Sequence, residues 1–349
     1  MSPVPGFAPT PSSAFASDNC APAHPSAIDA VIAANDGPAE SYGDDAITAR
    51  AAERIRSAFQ SPGADVLFAF TGTGANITAL SSGIRPWHEI LCSDIAHALI
   101  DEAGGPVRLS GAPLTPLPSA DGIIDPAHLD RVVTMRRGEV HHSQPRIVTV
   151  TQSTENGRVW NPDLIADFVD HAHALGLIVH VDGARIANAI AALGTTPKEA
   201  IGDADIVTVG GTKNGMLFGE AILVRRPELF EGIHFVHKQI GHLASKQRFV
   251  AAQFEALFAK DQWLLMAGHA NAMAARLSTG FVALGLDLAA PTEANEVFIF
   301  LAPEIHAELS TSYAVHQPDP LRPIVRFVCS WATTPDDVDA VLTTLQARL

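Results

Sequence analysis

One lysine of this chain, Lys213, stands in a setting that can turn its amine into a nucleophile. The segment before it, residues 205–209, reads Asp-Ile-Val-Thr-Val, and such a β-branched apolar run is typical of a buried strand. Gly210 and Gly211 end that strand and let a flat ligand approach the backbone closely. A lysine carried from a strand end into a concave site loses water, which favours the neutral amine that forms a Schiff base with a carbonyl compound. The alternative is a solvated loop lysine, so the interpretation depends on the other residues of the chain.

An aspartate and an arginine follow a second candidate strand. Residues 177–181 read Leu-Ile-Val-His-Val, a nearly continuous apolar run that is typical of a parallel strand covered on both faces. Asp182 ends this run, and Arg185 follows it in the next turn. A carboxylate is costly to bury without a cation. Either these two side chains therefore neutralise each other, or both face a ligand that carries its own charges.

A glycine-rich turn joins a third candidate strand to a helix. Residues 66–70 are apolar, and Thr-Gly-Thr-Gly-Ala-Asn follows at 71–76. The free N–H groups of a helix N-terminus and its positive dipole end bind anions, so Gly72 and Thr73 are predicted to bind a phosphate. The dinucleotide fingerprint is incomplete because Ile77 takes the place of its third glycine, and no Gly-Lys-Ser/Thr follows as in a P-loop. A purely structural turn is the alternative.

Three further residues are candidates for the same site. His97 follows a short predicted strand, on the side of the sheet where α/β proteins bind ligands. Arg326 lies between apolar neighbours inside the last predicted strand, so it points into a pocket or pairs with an acid. His141 and His142 lie in a polar loop before another strand, where surface histidines are the usual interpretation.

The elements that must position these residues alternate between strands and helices, which predicts an α/β fold with helices on both faces of the sheet. Beyond about residue 241 the pattern changes to long helices and short strands, typical of an α+β unit. The predicted helices span 243–259 and 263–284, and the predicted strands 296–301, 313–316 and 324–329. The resulting division is a flexible N-terminal arm, a large α/β domain and a small C-terminal α+β domain, at residues 1–16, 17–240 and 241–349.

Composition limits the classes of partner. The 349 residues carry a formal net charge of −15, which argues against nucleic acid or an anionic membrane as the partner and leaves a small molecule. The three cysteines, Cys20, Cys92 and Cys329, form neither a disulfide framework nor a zinc pattern. Residues 1–16 lack the basic region of a signal peptide, and no apolar run reaches the length of a membrane span. A cytoplasmic protein is expected.

A phosphate turn, a histidine able to stack on a ring, a strand-end aspartate, an arginine and a Schiff-base lysine suit one cofactor, pyridoxal 5′-phosphate. The amides of Gly72 and Thr73 are predicted to bind its phosphate, and Asp182 is predicted to hold its pyridine nitrogen protonated. Lys213 is predicted to hold its aldehyde as an imine.

Five motifs in this order also resemble a known family. They are Ser-Tyr-Gly-Asp-Asp at 41–45, Thr-Gly-Thr-Gly-Ala-Asn at 71–76, Asp-Glu-Ala-Gly-Gly at 101–105, Val-Asp-Gly-Ala-Arg at 181–185 and Gly-Gly-Thr-Lys-Asn-Gly at 210–215. Their order and spacing are similar to those of the L-threonine aldolases, in the β-eliminating lyase group of fold-type-I pyridoxal-phosphate enzymes. The segments 15–19 and 245–249 look closest to members that act on phenylserine. The likeness covers about residues 17–326.

The resemblance implies an enzyme that cleaves L-β-hydroxy-α-amino acids to glycine and an aldehyde. By this likeness, His97 stacks on the cofactor ring, and Arg185 binds the ring oxygen and the substrate carboxylate. Ser17 and Arg326 match positions that hold that carboxylate. His141 is the better match to a second active-site histidine, although a one-residue gap would select His142. The expected base that removes the proton of the β-hydroxyl group is His97 or His141, directly or through water.

The same resemblance implies a homotetramer built from dimers whose active sites lie at the subunit interface. Tyr42 or Lys238 could then serve the site of a neighbouring subunit, and Glu102 could position a catalytic water. The chain departs from many family members at position 16. It has Ala16 there, whereas those members have an arginine before the Ser-Asp pair. This departure leaves the local role of the arm open.

Two other functions fit the same residues. One is a different pyridoxal-phosphate reaction on amino acids, such as β-elimination, transamination or hydroxymethyl transfer. The other is a non-catalytic protein that kept the scaffold and binds a ligand. The full set of catalytic residue types argues against the second, and the pattern leaves the preferred side chain of the substrate, methyl or aryl, undecided.

Overall fold

The structure, a computed structural model, describes residues 10–349, so residues 1–9 of the predicted arm lie outside the described residues. The helices are α1 (Pro25–Ala33), α2 (Ala46–Ala58), α3 (Gly72–Ser82), α4 (His97–Ile100), α5 (Gly105–Ser110), α6 (Pro126–Arg136), α7 (Pro162–Ala174), α8 (Ile186–Leu193), α9 (Ile233–Gln239), α10 (Arg248–Phe258), α11 (Gln262–Ala283), α12 (Pro303–Leu309) and α13 (Pro335–Gln346). The strands are β1 (Asp65–Ala69), β2 (His88–Ser93), β3 (Leu114–Leu117), β4 (Ser119–Ala120), β5 (Ile123–Ile124), β6 (Gln144–Thr151), β7 (Ile178–Gly183), β8 (Ile206–Gly210), β9 (Glu220–Val224), β10 (Glu296–Phe300) and β11 (Ile324–Val328).

A seven-stranded sheet with the order β1-β9-β8-β7-β6-β2-β3 forms the centre of the fold. Strand β9 runs antiparallel to both of its neighbours, and the other pairs are parallel. Every residue of β7, β8 and β9 is buried, which explains their continuous apolar sequences. The sheet is therefore mostly parallel and covered on both faces, and the predicted α/β class is confirmed.

Two apolar clusters cover the faces of this sheet. The larger one contains residues of α2, α7 and α8 together with Phe254 of α10 and Trp263 of α11. The other contains residues of α3 together with Phe230 and Ile233. Helices thus cover both faces of the sheet, and functional side chains can lie at the ends of its strands.

A smaller α+β unit follows at the C-terminal end. Strands β10 and β11 pair antiparallel, and helices α11, α12 and α13 contribute to a separate apolar cluster with them. Phe15, assigned to the arm from the sequence, is fully buried in this cluster. Helix α10, assigned to the small domain, packs on α1 and α2 beside the large sheet. The division into an arm and two domains stays a prediction.

Local signals explain several element boundaries. Asp45 caps α2 by accepting the backbone N–H of Thr48 at 2.9 Å. The strand predicted at residues 313–316 is not formed. Tyr313 instead makes an isolated bridge to Ser12, and His316 makes one to Arg326. Because the two residues pair with different segments, no continuous ladder forms.

Within residues 10–349, none of the helices combines the length and the apolar character that crossing a bilayer requires.

Candidate active site

A cavity of about 350 Å³ opens at the edge of the sheet where the parallel strands end. Strands β6, β7 and β8 deliver their C-terminal ends to this edge, and β9 begins there because it runs in the opposite direction. The cavity is lined by Asn19, Phe70, Thr71, Gly72, Thr73, Asn76, His97, Thr151, Ser153, Glu155, Asp182, Ala184, Arg185, Thr212, Lys213, Phe218 and Glu220. Six of the residues predicted from the sequence therefore meet in one place, namely Gly72, Thr73, His97, Asp182, Arg185 and Lys213.

Lys213 is held in a single 3₁₀ turn, Thr212–Asn214, directly after β8. The turn ends at Gly215, whose φ of +88° is a backbone conformation that favours glycine. Asn214 fixes the far side of the turn by donating from its side-chain amide to the carbonyl oxygen of Trp263 at 2.9 Å. The lysine side chain is thereby directed into the cavity from a rigid base.

Asp182 lies at the neighbouring strand end and is buried. Its Oδ2 accepts a hydrogen bond from Asn76 Nδ2 at 2.7 Å, and its Oδ1 accepts the backbone N–H of Ala184 at 3.0 Å. Asn76 is itself oriented by the hydroxyl of Thr208, which donates to Asn76 Oδ1 at 3.2 Å. These contacts fix the direction of the carboxylate.

The N-terminal end of α3 forms the opposite wall of the cavity. Thr71 caps the helix, since its hydroxyl oxygen accepts the backbone N–H of Gly74 at 3.1 Å. The amides of Gly72 and Thr73 belong to the first turn, where N–H groups have no partner inside the helix. A phosphate at this position would meet free donors and the positive end of the helix dipole.

His97 stands at the start of α4, where the carboxylate of Glu102 accepts a hydrogen bond from its Nδ1 at 2.9 Å. This hydrogen bond is the largest cause of a raised His97 pKa, and the charge of Asp182 acts in the same direction, against burial and Lys213. The same oxygen of Glu102 accepts from Asn76 Nδ2 at 2.9 Å. Glu102 thereby links His97 to the residue that holds Asp182. Its expected role in positioning a water stays a prediction.

Arg185 does not neutralise Asp182. Its Nε and Nη2 donate to the two carboxylate oxygens of Asp18 at 2.7 and 3.1 Å, and its Nη1 lies 3.4 Å from Glu296 Oε2. Glu296 also lies 3.5 Å from Arg326 Nη1. Arg185 and Asp182 thus do not neutralise each other, and both line the cavity. The other alternative, that they face a ligand with its own charges, stays a prediction.

Three buried glutamates have raised pKa values. Burial raises the pKa of Glu155 and of Glu220 to about 7 each, with the charge of Asp182 acting in the same direction. Burial also raises the pKa of Glu296, and the charges of Arg185 and Arg326 only partly oppose the increase. Glu155 and Glu220, the two of these glutamates that line the cavity, therefore exchange protons near neutral pH, a property common at active sites.

Three predicted residues do not line the cavity. The hydroxyl oxygen of Ser17 accepts the backbone N–H of Asn19 at 3.2 Å and so caps the short turn Asp18–Cys20. Arg326 reaches the site only through Glu296 and lines a separate opening together with Ala16.

The third of these residues is His141, which lies on the surface before the first residue of β6. The cavity lies past the last residue of that strand, and eight residues of strand extend over roughly 25 Å. A histidine at the starting edge cannot reach the finishing edge of the same sheet, so His141 is not part of the cavity of this chain, and His142 beside it is equally remote.

Sequence reasoning missed five residues of the site: Asp18, Asn76, Glu155, Glu220 and Glu296. Two of them, Asn76 and Asp18, lie in motifs that the sequence analysis singled out, beside residues that were selected. Glu155 follows a predicted strand end, which is the signal that selected Asp182, and would have been found by applying it uniformly.

The residues at the cavity fit pyridoxal 5′-phosphate. Its volume lies in the range of small-molecule sites. Ser153 Oγ and Glu155 Oε2 are buried without a hydrogen-bond partner among the described residues, so polar atoms at the cavity are left for a ligand. An anion site, a carboxylate and an amine meet there, as a phosphate, a pyridine nitrogen and an aldehyde require.

Another cavity, of about 490 Å³, lies beside β5 and the end of α8. Its arginine, Arg158, already pairs with Glu293 at 2.9 Å and Asp121 at 3.5 Å. Among the described residues, this second cavity therefore contains no free group suited to covalent chemistry.

Known proteins are similar to this chain in sequence and in fold. The β-eliminating lyase family matches residues 14–304. The low specificity L-threonine aldolase of Pseudomonas sp. (strain NCIMB 10558) is 41% identical over 329 residues, which cover 91% of this chain and 93% of the relative. The enzyme of the same name from Pseudomonas aeruginosa is 41% identical over 330 residues, with the same coverage. The solved structure of Leishmania major threonine aldolase superposes with a TM-score of 0.92 at 29% identity and covers 97% of this chain and 99% of that one.

The sheet, its strand-end lysine and its strand-end aspartate define a fold-type-I pyridoxal-phosphate enzyme. A serine palmitoyltransferase structure with bound pyridoxal phosphate shares this fold at 18% identity and a TM-score of 0.69. Within that class, the chain belongs to the β-eliminating lyase family.

Proposed function

We propose that this chain is a pyridoxal-phosphate-dependent aldolase that cleaves L-β-hydroxy-α-amino acids, of the L-threonine, L-allo-threonine or L-phenylserine type, to glycine and an aldehyde. The observation that carries this proposal is the meeting of Lys213, Asp182 and the first turn of α3 in one cavity. The L-threonine aldolases of Pseudomonas, 41% identical over nearly the whole chain, support the reaction type.

The residues of this chain divide the work as follows. The amine of Lys213 holds the cofactor covalently, the first turn of α3 binds its phosphate, and Asp182 holds its ring nitrogen. His97 is placed to stack on the ring. When bound, the cofactor supplies an electron sink for the bond to be broken.

A cation must hold the substrate carboxylate so that the Cα–Cβ bond has the correct orientation. Arg185 lies at the cavity, where Asp18 accepts hydrogen bonds from its Nε and Nη2 and Glu296 Oε2 lies 3.4 Å from its Nη1. Arg326 keeps a buried Nε without a partner among residues 10–349. We propose that Arg185, which lines the cavity, binds the substrate carboxylate. Arg326 and Ser17, which lie outside the cavity of this chain, are the further candidates that the resemblance implies.

The test is production of glycine and aldehyde from L-threonine and L-phenylserine, with and without the substitution Lys213→Ala. We expect the variant to lose the visible absorbance of the bound cofactor and all turnover, because the amine that attaches the cofactor is removed. Lys198→Ala, at an exposed position, is the matched control and should behave as the unchanged protein. Normal turnover by Lys213→Ala would disprove the assignment.

The same assay distinguishes the other pyridoxal-phosphate reactions. Glycine and aldehyde in equal amounts, formed without tetrahydrofolate or a keto acid, indicate the aldolase. Ammonia with a keto acid would indicate β-elimination, and a requirement for tetrahydrofolate would indicate hydroxymethyl transfer.

We also propose a homo-oligomer, a dimer or a tetramer, whose active sites lie at the subunit interface. Phe218 lines the cavity and yet is 44% exposed, and Leu217 beside it is equally exposed. Lys238 Nζ lies 4.6 Å from the ring centroid of Tyr42 on the surface, where both could serve a neighbouring site. Sedimentation of the purified protein tests this assembly.

A cytoplasmic location likewise remains a proposal. It is supported by the three cysteines, which occur as thiols rather than as a disulfide.

A further inference from the structure

Glu155 is a cavity residue to which the reaction scheme above gives no role. It lies in the loop after β6, and one of its carboxylate oxygens is fully engaged. This oxygen, Oε1, accepts the backbone N–H of His97 at 2.9 Å and the hydroxyl of Thr151 at 2.7 Å. The side chain is therefore held at a fixed position beside the residue expected to stack on the cofactor ring.

The other oxygen, Oε2, is buried and has no hydrogen-bond partner among residues 10–349. A buried carboxylate oxygen without a hydrogen-bond partner destabilises the protein unless a ligand completes its hydrogen bonding. Since Glu155 lines the cavity, the ligand bound there is the available partner.

Charged and titratable groups surround this carboxyl from several elements: Cys92 on β2, His97 on α4, Asp182 on β7 and Arg185 before α8. Burial is the largest effect and raises the pKa of Glu155 to about 7, and Asp182 raises it further, against the hydrogen bonds from Thr151 and His97. A group with such a pKa is half ionised at neutral pH and can accept and release a proton there. His97 is less suited to accept one, because the carboxylate of Glu102 raises its pKa and favours the imidazolium.

We propose that Glu155 is the catalytic residue that removes the proton from the β-hydroxyl group of the substrate. This inference rests on the proposed aldol cleavage. The hydroxyl proton passes to the Glu155 carboxylate, and the O–H electron pair becomes the second bond of the aldehyde carbonyl. The Cα–Cβ bond breaks, and the bound cofactor would supply the sink for its electron pair. Glu155 then releases its proton to water, while Cα takes up one proton, supplied from water through Lys213, to give glycine.

The substitution Glu155→Gln tests this role, because glutamine keeps an acceptor for His97 and Thr151 but cannot take a proton. We expect kcat for L-threonine cleavage to fall by about 10²- to 10⁴-fold. The limb of the pH–rate profile with a midpoint near 7, on which the rate rises with pH, should disappear. Exchange of the α-proton of glycine with solvent should persist, since that reaction has no hydroxyl proton to remove. The cofactor absorbance should also persist.

If Glu155 only orients His97 through Oε1, Glu155→Gln will cleave L-threonine at the normal rate and keep the limb near pH 7, which overturns the proposal. Loss of glycine exchange together with cleavage would overturn it as well, because the defect would then not be confined to the hydroxyl group. If Glu155→Gln does not fold, the pH profile of His97→Asn serves instead. In that variant the limb of the pH–rate profile near pH 7 must persist. Its loss would assign the proton transfer to His97 and overturn the proposal. Failure of the unsubstituted protein to form glycine and aldehyde would instead refute the proposed function.

Discussion

The guanidinium group of Arg185 is only 10% exposed and lies between two carboxylates. Burial alone would raise the pKa of Asp18, but the charges of Arg185 and Lys213, with hydrogen bonds from Arg185 and Asn295, bring the net pKa below its ordinary value. Asp18 is therefore ionised at neutral pH and holds Arg185 in a single orientation. A cofactor or substrate group that meets Arg185 meets a positioned cation rather than a mobile side chain.

We expect Asp18→Asn to lower the free energy of unfolding by about 3–5 kcal/mol, because removing one partner of a buried pair leaves the other charge uncompensated. Since the pKa of Asp18 is lowered on folding, its contribution is complete above a pH of about 4 and is lost as the pH falls through the folded-state value. Urea unfolding at a series of pH values measures both effects. The gap between variant and parent should narrow in acid.

The matched control for this substitution is Asp339→Asn, which breaks an exposed pair with Arg276. Exposed pairs contribute about 0–1 kcal/mol, so this variant should unfold almost as the parent does. Equal losses for the two variants, or a gap that does not change with pH, would contradict the role given to Asp18.

At the scale of elements, the start of α3 is shaped by a histidine from a distant part of the chain. Nδ1 of His242 accepts the backbone N–H of Phe70 at 3.0 Å, and its ring lies directly over Gly74. A Cβ on Gly74 would stand 1.8 Å from His242 Nε2, closer than two non-bonded atoms can approach. The glycine is thus required by packing, and the histidine fixes the strand–helix turn that faces the phosphate position.

We expect Gly74→Ala to destabilise the cofactor-free protein by about 1–3 kcal/mol, the usual effect of overpacking, and to weaken pyridoxal-phosphate binding. Gly72→Ala is the control in the same turn, because its Cβ would meet no atom within 4 Å. In the cofactor-free protein it should be neutral or stabilising, by up to about 1 kcal/mol. Thermal unfolding without cofactor separates the two. Adding His242→Ala to Gly74→Ala should restore part of the loss, and no recovery would show that the ring is not the obstacle.

The elements also show what the sequence predicts and what it does not. The sequence predicts that Lys213 and Asp182 lie near each other, because each follows an apolar strand and parallel strands end at one edge, and the two residues do line one cavity. The sequence does not predict the direction of β9, because a continuous apolar run looks the same in both directions. It therefore does not predict that Glu220, the first residue of β9, lies at the cavity. The pairing of Asp18 with Arg185 joins residues 167 positions apart, and no local pattern encodes such a contact.

At the scale of the molecule, the segment before Ser17 joins the small C-terminal unit to the active site. Phe15 is fully buried there, with its ring centroid 6.2 Å from that of Phe327 and 6.1 Å from that of Tyr313. Its carbonyl oxygen accepts the backbone N–H of Val328 at 3.0 Å. Three residues later the chain delivers Asp18 to Arg185, so the anchor of Phe15 determines where that carboxylate lies.

We therefore expect Phe15→Ala to have two effects. The free energy of unfolding should fall by about 3–5 kcal/mol through the loss of a buried aromatic ring. KM for the amino-acid substrate should also rise, because Asp18 no longer holds Arg185 firmly. Leu345→Ala is the control, since Leu345 is fully buried in the same cluster but lies on α13, remote in sequence from Ser17. It should lose about 2–5 kcal/mol and keep KM. Steady-state kinetics and urea unfolding of both variants give the answer. If KM rises equally in both, loss of the small cluster as a whole, and not the anchor at Phe15, controls the geometry of the arginine.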